Sequence, residues 1–406
     1  MTRKRLLFVS PRFLFPMDQG GKIRTGNILR AMKGGAFSVT LASPAPPGHA
    51  RHAAEIAMAC DRFVSWRERV PSRLQRALSL ASSLPVAAAC DRSVAGQAVV
   101  RATLAEHPDV VVADFPHADV LLPDRIEAAS VMFTHNVEAE IFERHARRAS
   151  GLWRLVWSDQ SRKMAALEQA SLARYGSVVA VSERDRDALA KRYRLPVVEA
   201  IDTGVDLDFF AALPPDSAPD PGSDGGTIVF TATMSWAANV DGIHFLLDEV
   251  FPLLLRERPR IRAVIIGRNP PAALAEKIRT RGLDVTLTGF VEDIRPYVAA
   301  AHVYVIPLFV GSGTRIKAFE AMAMGRPVVS TTLGVEGLGV TDGETFLRAD
   351  DGATFARSIL ALLADAALRA RIAGAARRLV EDRYSWSRIG RQFEAICLRA
   401  LELHAE

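Results

Sequence analysis

The sequence is poor in cysteine and in long apolar runs, and each shortage excludes a class of protein. It contains 3 cysteines among 406 residues, and Cys60, Cys90 and Cys397 form no CxxC pair or Cys/His cluster. This predicts reduced thiols, with neither a disulfide scaffold nor a structural zinc site. No apolar run approaches the roughly 18 residues of a membrane span, and Pro11 and Arg12 interrupt the first apolar stretch. We therefore expect no signal peptide and a cytoplasmic location.

The sequence has ample material for large hydrophobic cores. Hydrophobic residues make up 49% of the chain and charged residues 24%, which is typical of a globular protein with two or three domains. The 51 Lys and Arg residues exceed the 46 Asp and Glu residues by five. This mild excess suits anionic ligands or a membrane surface, and it does not indicate a nucleic-acid partner.

Short, almost uniformly apolar segments alternate with segments of helical period along the chain. Strands that are apolar on both faces are typical of parallel sheets covered by helices. The segment 211–226 is rich in Pro, Gly, Ser and Asp and interrupts this alternation. The pattern therefore predicts an α/β protein with two doubly wound parallel-sheet domains, whose ligands bind at the carboxyl ends of the strands. Strands are predicted at 6–10, 38–42, 109–113, 130–134, 177–181, 228–231, 263–267, 285–287, 303–306 and 328–330.

The segment 307–330 concentrates residues that suit a nucleotide diphosphate. A predicted strand is followed by a glycine turn and the start of a helix, where free backbone amides favour phosphate. Arg315 and Lys317 add positive charge, and Glu320 lies one helical turn after Lys317, where it can bind ribose hydroxyls. The alternative is a surface helix with a Lys–Glu pair. The turn consists of Gly311, Ser312, Gly313 and Thr314.

The residues that follow resemble a known family. The sequence EAMAMGRPVV, which begins at Glu320, resembles the EAMA-G-PVV signature of the family 4 glycosyltransferases. The resemblance implies that Glu320 binds the donor ribose. The first acid of the family's Glu-x7-Glu pair is Ser312 here, as in a subgroup with a GTRIK-like segment. The family has the GT-B fold, in which two Rossmann-like domains face each other across a cleft. The implied parts are an acceptor domain at 1–205, a linker at 206–226, a nucleotide-sugar donor domain at 227–384 and a C-terminal helix at 385–406 that returns to the first domain.

Two further parts of the second domain are compared with the family. Phe290 and Val291 belong to a Gly-Phe-Val sequence that resembles the turn whose backbone lies against the nucleobase. The family's Arg/Lys pair, which neutralises the diphosphate, is absent, and Asn239 stands near its usual place. We hypothesise that Arg315 and Lys317 supply that charge instead. Asn239 is equally well interpreted as a helix N-cap.

The first domain offers several candidates for the active site. Gly20 and Gly21 follow the first strand, and a tight turn there would let backbone amides approach a sugar phosphate or the acceptor. The alternative is a purely structural turn. The family places a catalytic histidine after a later strand of this domain, where Asp114 aligns and His117 follows three residues on. His135 ends the next strand. The sequence does not decide among these three residues.

The segment 62–92 is basic and contains interleaved apolar residues. Two interpretations stay open: a peripheral membrane contact beside a lipid-linked acceptor, or a solvated helix that covers the flank of the first domain.

Several motifs of other enzymes are absent. No G-x-G-x-x-G follows the first strand, and the chain has neither a P-loop nor a G-x-S-x-G sequence. Two D-x-D sequences, Asp185 to Asp187 and Asp206 to Asp208, are interpreted as solvated surface acids. We expect no metal site and no cofactor.

The resemblance implies a glycosyltransferase of polysaccharide biosynthesis, in the cytoplasm or at the inner membrane face. It would move a sugar from a UDP, GDP or ADP sugar to a glycan or lipid-linked acceptor, with retention of configuration. The alternatives are an isomerase like the nucleotide-sugar 2-epimerases, or a non-catalytic protein that binds nucleotide sugars.

Overall fold

The computed structural model describes residues 3–211, 221–222, 225–234, 236–310 and 316–405. The chain forms two compact units, Met1–Thr203 together with Trp386–Glu406, and Gly204–Ser385. They are called the first and the second unit below. Each unit contains its own sheet of parallel strands. The predicted α/β fold with two Rossmann-like domains is therefore confirmed.

The first unit is built on a seven-stranded sheet. Its strands are β1 (Lys4–Val9), β2 (Phe37–Ala45), β3 (Arg62–Arg67), β4 (Val110–Asp114), β5 (Ala129–Phe133), β6 (Ser177–Ala180) and β7 (Val198–Ala200). Their order is β3-β2-β1-β4-β5-β6-β7, and all neighbours are parallel. Leu6 lies opposite both Val39 and Val110, which fixes the register at the centre of the sheet. This is the strand order of a Rossmann fold with one additional strand.

Both faces of the first sheet are buried. Successive side chains of a strand point to opposite faces. Leu6 and Phe8 accordingly join one hydrophobic cluster, and Leu7 and Val9 join another. This explains why the strand is apolar at consecutive positions. The helices of this part of the chain are α1 (Gly20–Met32), α2 (Ala53–Ala59), α3 (Arg73–Leu78), α4 (Val86–Asp91), α5 (Val94–Leu104), α6 (Glu138–Arg148), α7 (Gly151–Leu172) and α8 (Glu183–Tyr193).

The second unit is built on a six-stranded sheet. Its strands are β8 (Gly225–Thr231), β9 (Arg260–Ile266), β10 (Val285–Gly289), β11 (Val303–Ile306), β12 (Val328–Ser330) and β13 (Leu347–Arg348). Their order is β10-β9-β8-β11-β12-β13, again with parallel neighbours. The helices are α9 (Ala237–Phe245), α10 (Phe251–Glu257), α11 (Ala272–Thr280), α12 (Arg295–Ala299), α13 (Ile316–Ala323), α14 (Gly352–Ala364) and α15 (Ala366–Arg383). The unit has its own hydrophobic core, in which Phe230, Phe251 and Phe319 are buried.

The last helix, α16 (Trp386–Ala405), belongs to the first unit. The ring of Phe393 lies 5.1 Å from the ring of Phe133 and 6.5 Å from that of Phe8. Ile389 and Ile396 are buried beside it. The amphipathic helix thus covers one face of the first sheet.

The segment 62–92 is not one helix. Arg62–Arg67 forms an edge strand that pairs with β2, and Trp66 is buried while both terminal arginines are exposed. Two short helices follow, Arg73–Leu78 and Val86–Asp91. The interpretation as a single solvated helix is therefore wrong, because the interleaved apolar residues Phe63, Val64 and Trp66 pack on the sheet as parts of a strand. Among the described residues, no helix has the length and apolar character needed to cross a membrane.

Candidate active site

The candidate residues lie where the strand order of each sheet reverses. In the first sheet, β2 lies on one side of β1 and β4 lies on the other. In the second sheet, β9 lies on one side of β8 and β11 lies on the other. Ligands of open α/β sheets bind beyond the carboxyl ends of the strands at such a point. Asp114 ends β4, and Thr231 ends β8.

Asp114 is the centre of a buried hydrogen-bond network in the first unit. Its Oδ1 accepts hydrogen bonds from His135 Nε2 at 2.8 Å and from Thr25 Oγ1 at 3.1 Å. Its Oδ2 accepts one from Ser10 Oγ at 2.8 Å. The donors come from the end of β1, from α1 and from the end of β5. Three donors around one carboxylate fix its orientation.

His135 lies between Asp114 and Arg24 and contacts both. Its Nδ1 lies 3.3 Å from a guanidinium nitrogen of Arg24, whose Nε donates to Thr203 Oγ1 at 3.1 Å. Burial lowers the pKa of His135; the charge of Arg24 acts in the same sense, and Asp114 opposes the effect. Burial likewise lowers the pKa of Arg24 to about 10. We therefore assign a neutral imidazole that donates through Nε2 to Asp114 and accepts through Nδ1 from Arg24.

Phe115 covers the imidazole. Its ring stacks on His135 with centroids 3.9 Å apart and an interplanar angle of 17°. Its φ of 69° is an unfavourable value for a bulky side chain, and strained residues of this kind concentrate at functional sites. A Cβ on Gly21 would lie 2.9 Å from Phe115 Cζ, whereas one on Gly20 would meet nothing within 4 Å. Gly20 and Gly21 begin helix α1 rather than forming a separate turn, and only Gly21 permits a close approach.

A small cavity of about 90 Å³ opens in front of Asp114. It also contacts Gly21 and Lys22 at the start of α1, and His135 is not part of its lining. Of the two, Asp114 is therefore the residue that faces a space for a ligand, and His135 contacts its carboxylate from outside that space. The lining consists of Ser10, Arg12, Leu14, Gln19, Gly21, Lys22, Asp114 and Phe115.

The structure does not bring His117 into this network. His117 lies in a short 3₁₀ helix, and its Nδ1 is 3.3 Å from a carboxylate oxygen of Asp91. Its Nε2 is buried and has no hydrogen-bond partner among the described residues. Asp114 and His135 therefore share one site, from which His117 points away.

Lys317 occupies the end of the first strand of the second unit. It lies on α13, and its Nζ donates to the carbonyl oxygen of Thr231 at 2.9 Å and to Asn239 Oδ1 at 3.3 Å. The same ammonium lies 4.7 Å from the centroid of the Phe230 ring. Asn239 is buried within the first turn of α9, which begins after Trp236, and its Nδ2 donates to Thr233 O at 2.9 Å. The interpretation of Asn239 as an N-cap is therefore wrong.

Glu320 lies one turn further along α13. Burial raises the pKa of its carboxyl to about 7, and the neighbouring Lys317 acts in the opposite sense. Its carboxylate has no hydrogen-bond partner among the described residues. The buried hydroxyl of Tyr304 interacts with Thr231 Oγ1, and burial raises its pKa, with the charge of Glu320 in the same sense. An acid with free acceptor atoms beside a cation suits a ligand that carries both hydroxyl and phosphate groups.

Phe290 and Val291 follow β10. Val291 is half-buried, whereas the ring of Phe290 is 58% exposed and lies 4.1 Å from the guanidinium carbon of Arg268, which follows β9. Gly289 has a φ of 72°, which a glycine adopts without strain. Arg268 and Phe290 together present a flat surface at the carboxyl ends of two neighbouring strands, and the sequence had not indicated Arg268.

Five of the predicted donor-site residues lie outside the described residues. They are Gly311, Ser312, Gly313, Thr314 and Arg315. Their place in the sequence, directly before α13, puts them next to Lys317 along the chain.

The two D-x-D sequences serve local interactions. Asp185 accepts from Arg184 at 2.8 Å, and Asp187 accepts from Arg186 at 2.8 Å. Asp206 Oδ1 accepts the backbone N–H of Asp208 at 3.1 Å. In the described part of the chain, no group of three or more His, Cys, Asp or Glu side chains is arranged to hold a metal ion.

The two units match separate family models. Residues 19–209 match the model described as Glycosyltransferase Family 4, and residues 225–365 match the model described as Glycosyl transferases group 1. With the two sheets described above, these matches define the fold as GT-B. A sucrose-phosphate synthase from Thermosynechococcus elongatus has a TM-score of 0.67 at 18% identity, covering 99% of this chain and 100% of that chain. Anabaena HepE, in complex with UDP and glucose, has a TM-score of 0.64 at 16% identity, covering 97% of this chain and 99% of that chain.

Curated relatives match over part of their length. A phosphatidyl-myo-inositol mannosyltransferase of Mycobacterium leprae is 29% identical over 212 residues, which is 50% of this chain and 55% of that protein. An uncharacterized 44.6 kDa protein in the cps region of Klebsiella pneumoniae is 25% identical over 140 residues, which is 33% of this chain and 36% of that protein. The match thus spans about a third to a half of these relatives.

Proposed function

We propose that the chain is a glycosyltransferase that uses a nucleotide sugar, with the donor bound by the second unit. Both units match glycosyltransferase models. Candidate ligand-binding side chains lie at the point of each sheet where α/β proteins bind their ligands. The observation that carries the proposal is the position of the Lys317 ammonium at the carboxyl end of β8.

Lys317 would act on the diphosphate of the donor. Neutral oxygens of Thr231 and Asn239 orient its ammonium, so the charge is in place before the reaction. When the glycosidic bond to the diphosphate breaks, negative charge develops on the departing phosphate oxygen. A fixed cation there lowers the barrier. Arg315, two residues earlier, is proposed to share this role.

Glu320, Phe290 and Val291 would bind the nucleoside. The Glu320 carboxylate would accept hydrogen bonds from ribose hydroxyls, and the backbone at Phe290 and Val291 would lie against the base. UDP is the first nucleotide to test, because HepE, which has a similar fold, is described in complex with UDP and glucose.

Asp114 would act on the transferred sugar, with His135 holding its orientation. In the proposed retaining reaction, the bond from the anomeric carbon to the phosphate oxygen breaks. The acceptor oxygen then bonds to the same face of that carbon, and the acceptor proton passes to the departing phosphate. The charge of Asp114 would stabilise the positive charge that develops on the sugar ring. The acceptor is proposed to be a glycan or a lipid-linked molecule.

The first experiment measures donor binding and products together. The purified protein is screened by thermal unfolding against UDP, GDP and ADP sugars, since a ligand that binds the native state raises its stability. We expect one of them to raise the melting temperature and to yield nucleoside diphosphate in the presence of acceptor. The Asp114→Asn variant should keep donor binding and lose transfer by about two orders of magnitude.

Two results would contradict this proposal. An epimerised donor formed without acceptor would show an isomerase. Donor binding with neither hydrolysis nor transfer, across glycan and lipid acceptors, would show a binding protein. The Asp187→Asn variant, at a surface ion pair of the same unit, serves as the matched control.

A further inference from the structure

The first unit contains a second and larger cavity, of about 520 Å³. It lies among β3, α4 and the start of α7, and neither Asp114 nor His135 contributes to its lining. The lining is rich in positively charged residues. Its arginines are Arg12, Arg67, Arg69, Arg76 and Arg92.

These arginines lack the partners that surface arginines of this unit usually have. In the described part of the chain, none of the five guanidinium groups has a hydrogen bond or an ion pair. Arg62, Arg162 and Arg184, by contrast, are each paired with a carboxylate. Glu68 and Asp91 are the acids of the lining, so the cavity carries a net positive charge. Unpaired like charges around one cavity attract an anion.

The two helices that contribute Arg76 and Trp153 to the lining also expose large apolar side chains. The side chains of Leu74 and Leu78, one turn apart on α3, are 70% and 66% exposed, and Trp153 on α7 is 69% exposed. Leu152 and Leu155 are exposed beside Trp153. All six residues of α3 are exposed, so this helix contributes no side chain to the core. Free proteins in water seldom keep such a group of side chains exposed without a binding role.

We propose that this cavity binds the phosphate group of an anionic membrane lipid, while Leu74, Leu78 and Trp153 enter the interface of the bilayer. Guanidinium groups pair with phosphate through several hydrogen bonds. A lipid fits better than a phosphate free in solution, because its acyl chains would also cover the exposed apolar side chains. Free phosphate would leave those side chains in water.

The cavity lies beside the candidate active site. Arg12 lines both this cavity and the smaller one in front of Asp114. A lipid headgroup held by the arginines would therefore lie next to Asp114. This last step rests on the proposed function, and it identifies the acceptor as a lipid that carries a phosphate group.

The experiment measures binding of the full chain to vesicles. Phosphatidylcholine vesicles with and without about one fifth phosphatidic acid are sedimented with the protein at low and at high salt. We expect binding only to the anionic vesicles, weakened by salt. Arg67→Gln/Arg76→Gln/Arg92→Gln should weaken it by roughly tenfold or more, and so should Leu74→Ser/Leu78→Ser/Trp153→Ser. Arg62→Gln/Arg162→Gln and Leu403→Ser, at exposed positions away from the cavity, should bind like the wild type.

A second readout, fluorescence quenching, does not depend on the arginine and serine variants. Brominated acyl chains should quench the tryptophan fluorescence of the wild-type protein, and Trp153→Phe should remove most of that quenching. Failure of the wild type to bind anionic vesicles would overturn the inference. Equal binding by the arginine variant, or stabilisation by inorganic phosphate alone with unchanged vesicle binding by the leucine variant, would do the same.

The outcome is separable from that of the proposed function. Nucleotide-sugar binding by the wild type is measured without vesicles. Donor binding without vesicle binding overturns only the lipid site. Vesicle binding without donor binding overturns the proposed glycosyltransferase and the acceptor assignment that rests on it, and it leaves the lipid site standing.

Discussion

Lys317 and Asn239 are 78 residues apart in the sequence, yet the ammonium of one touches the amide oxygen of the other. In the proposed function, Lys317 supplies the charge that the family resemblance places near Asn239 on α9. We expect Lys317→Met to reduce turnover by about two orders of magnitude, since a fixed cation that stabilises the leaving group is lost. The double variant Lys317→Met/Asn239→Lys should have a turnover at least tenfold higher than that of Lys317→Met alone. Steady-state kinetics measure both, and thermal unfolding checks that each variant is folded.

The control for this pair is Lys277→Met, which removes a lysine paired with Asp248 on the same unit. Its turnover should equal that of the wild type. Near-normal transfer by Lys317→Met would contradict the assignment of the phosphate contact.

We expect Glu320 to make nucleotide-sugar binding at the proposed donor site depend on pH. Burial raises the pKa of its carboxyl from 4.5 to about 7, so the group is protonated below and charged above that value. Only the charged form accepts hydrogen bonds with both oxygens. The dissociation constant of the nucleotide sugar should therefore fall as the pH rises from about 6 to 8.

Calorimetric titration with the nucleotide sugar checks this expectation, because its diphosphate does not titrate in that range. Glu320→Gln should bind roughly tenfold more weakly and with no dependence on pH. A pH dependence that persists in Glu320→Gln would assign the titration to another group.

The sequence predicted some of these residues and missed others for a physical reason. Glu320 and Lys317 stand in a local motif one helical turn apart, and such spacing is visible in a sequence. Thr231 and Tyr304 meet through neighbouring strands, and Arg268 meets Phe290 in the same way. Those contacts depend on strand order, which no local pattern encodes. The choice between Asp114 and His135 likewise needed the position of Phe115.

At the level of elements, the start of α1 provides a matched pair of glycines. A Cβ on Gly21 would press against the ring of Phe115, whereas one on Gly20 would meet open space. Alanine favours a helix over glycine by about 1 kcal/mol. Gly20→Ala should therefore keep activity and unfold at the same or a higher temperature. Gly21→Ala should lose turnover, because it displaces the ring that covers His135.

Thermal unfolding and kinetics on the two variants separate these effects. Equal turnover in Gly20→Ala and Gly21→Ala would show that the position of Phe115 does not matter for catalysis.

Most of the strands that the sequence predicted correctly are buried on both faces, and β10, at an edge of the second sheet, is an exception. Every residue is apolar from Leu6 to Val9 in β1 and from Val110 to Ala113 in β4, because both faces of the sheet are covered at these positions. β3 and β7 lie at the two edges of the same sheet and are less apolar, so no strand was predicted there. Arg62–Arg67 contains Phe, Val and Trp, which favour a strand, and its pairing with β2 places these residues at the edge of the sheet.

At the scale of the whole molecule, the two units have separate hydrophobic cores. The described clusters contain residues of one unit each, and α16 completes the core of the first unit from the far end of the chain. We therefore expect calorimetric unfolding to show two transitions. Phe393→Ala removes a ring buried among Phe8 and Phe133, and it should destabilise the first unit by about 3–5 kcal/mol. The transition of the second unit should not change.

A nucleotide sugar should affect the other transition, that of the second unit. If the donor binds the second unit, it should raise the transition that Phe393→Ala leaves unchanged, by an amount that grows with the logarithm of ligand concentration. Leu403→Ala, at a side chain of α16 that is 55% exposed, should shift neither transition appreciably. A donor that raised the transition lowered by Phe393→Ala would instead locate nucleotide binding in the first unit. A single transition, lowered by Phe393→Ala and raised by the nucleotide sugar, would contradict the expectation of two transitions. It would show that the two cores unfold cooperatively, as one unit.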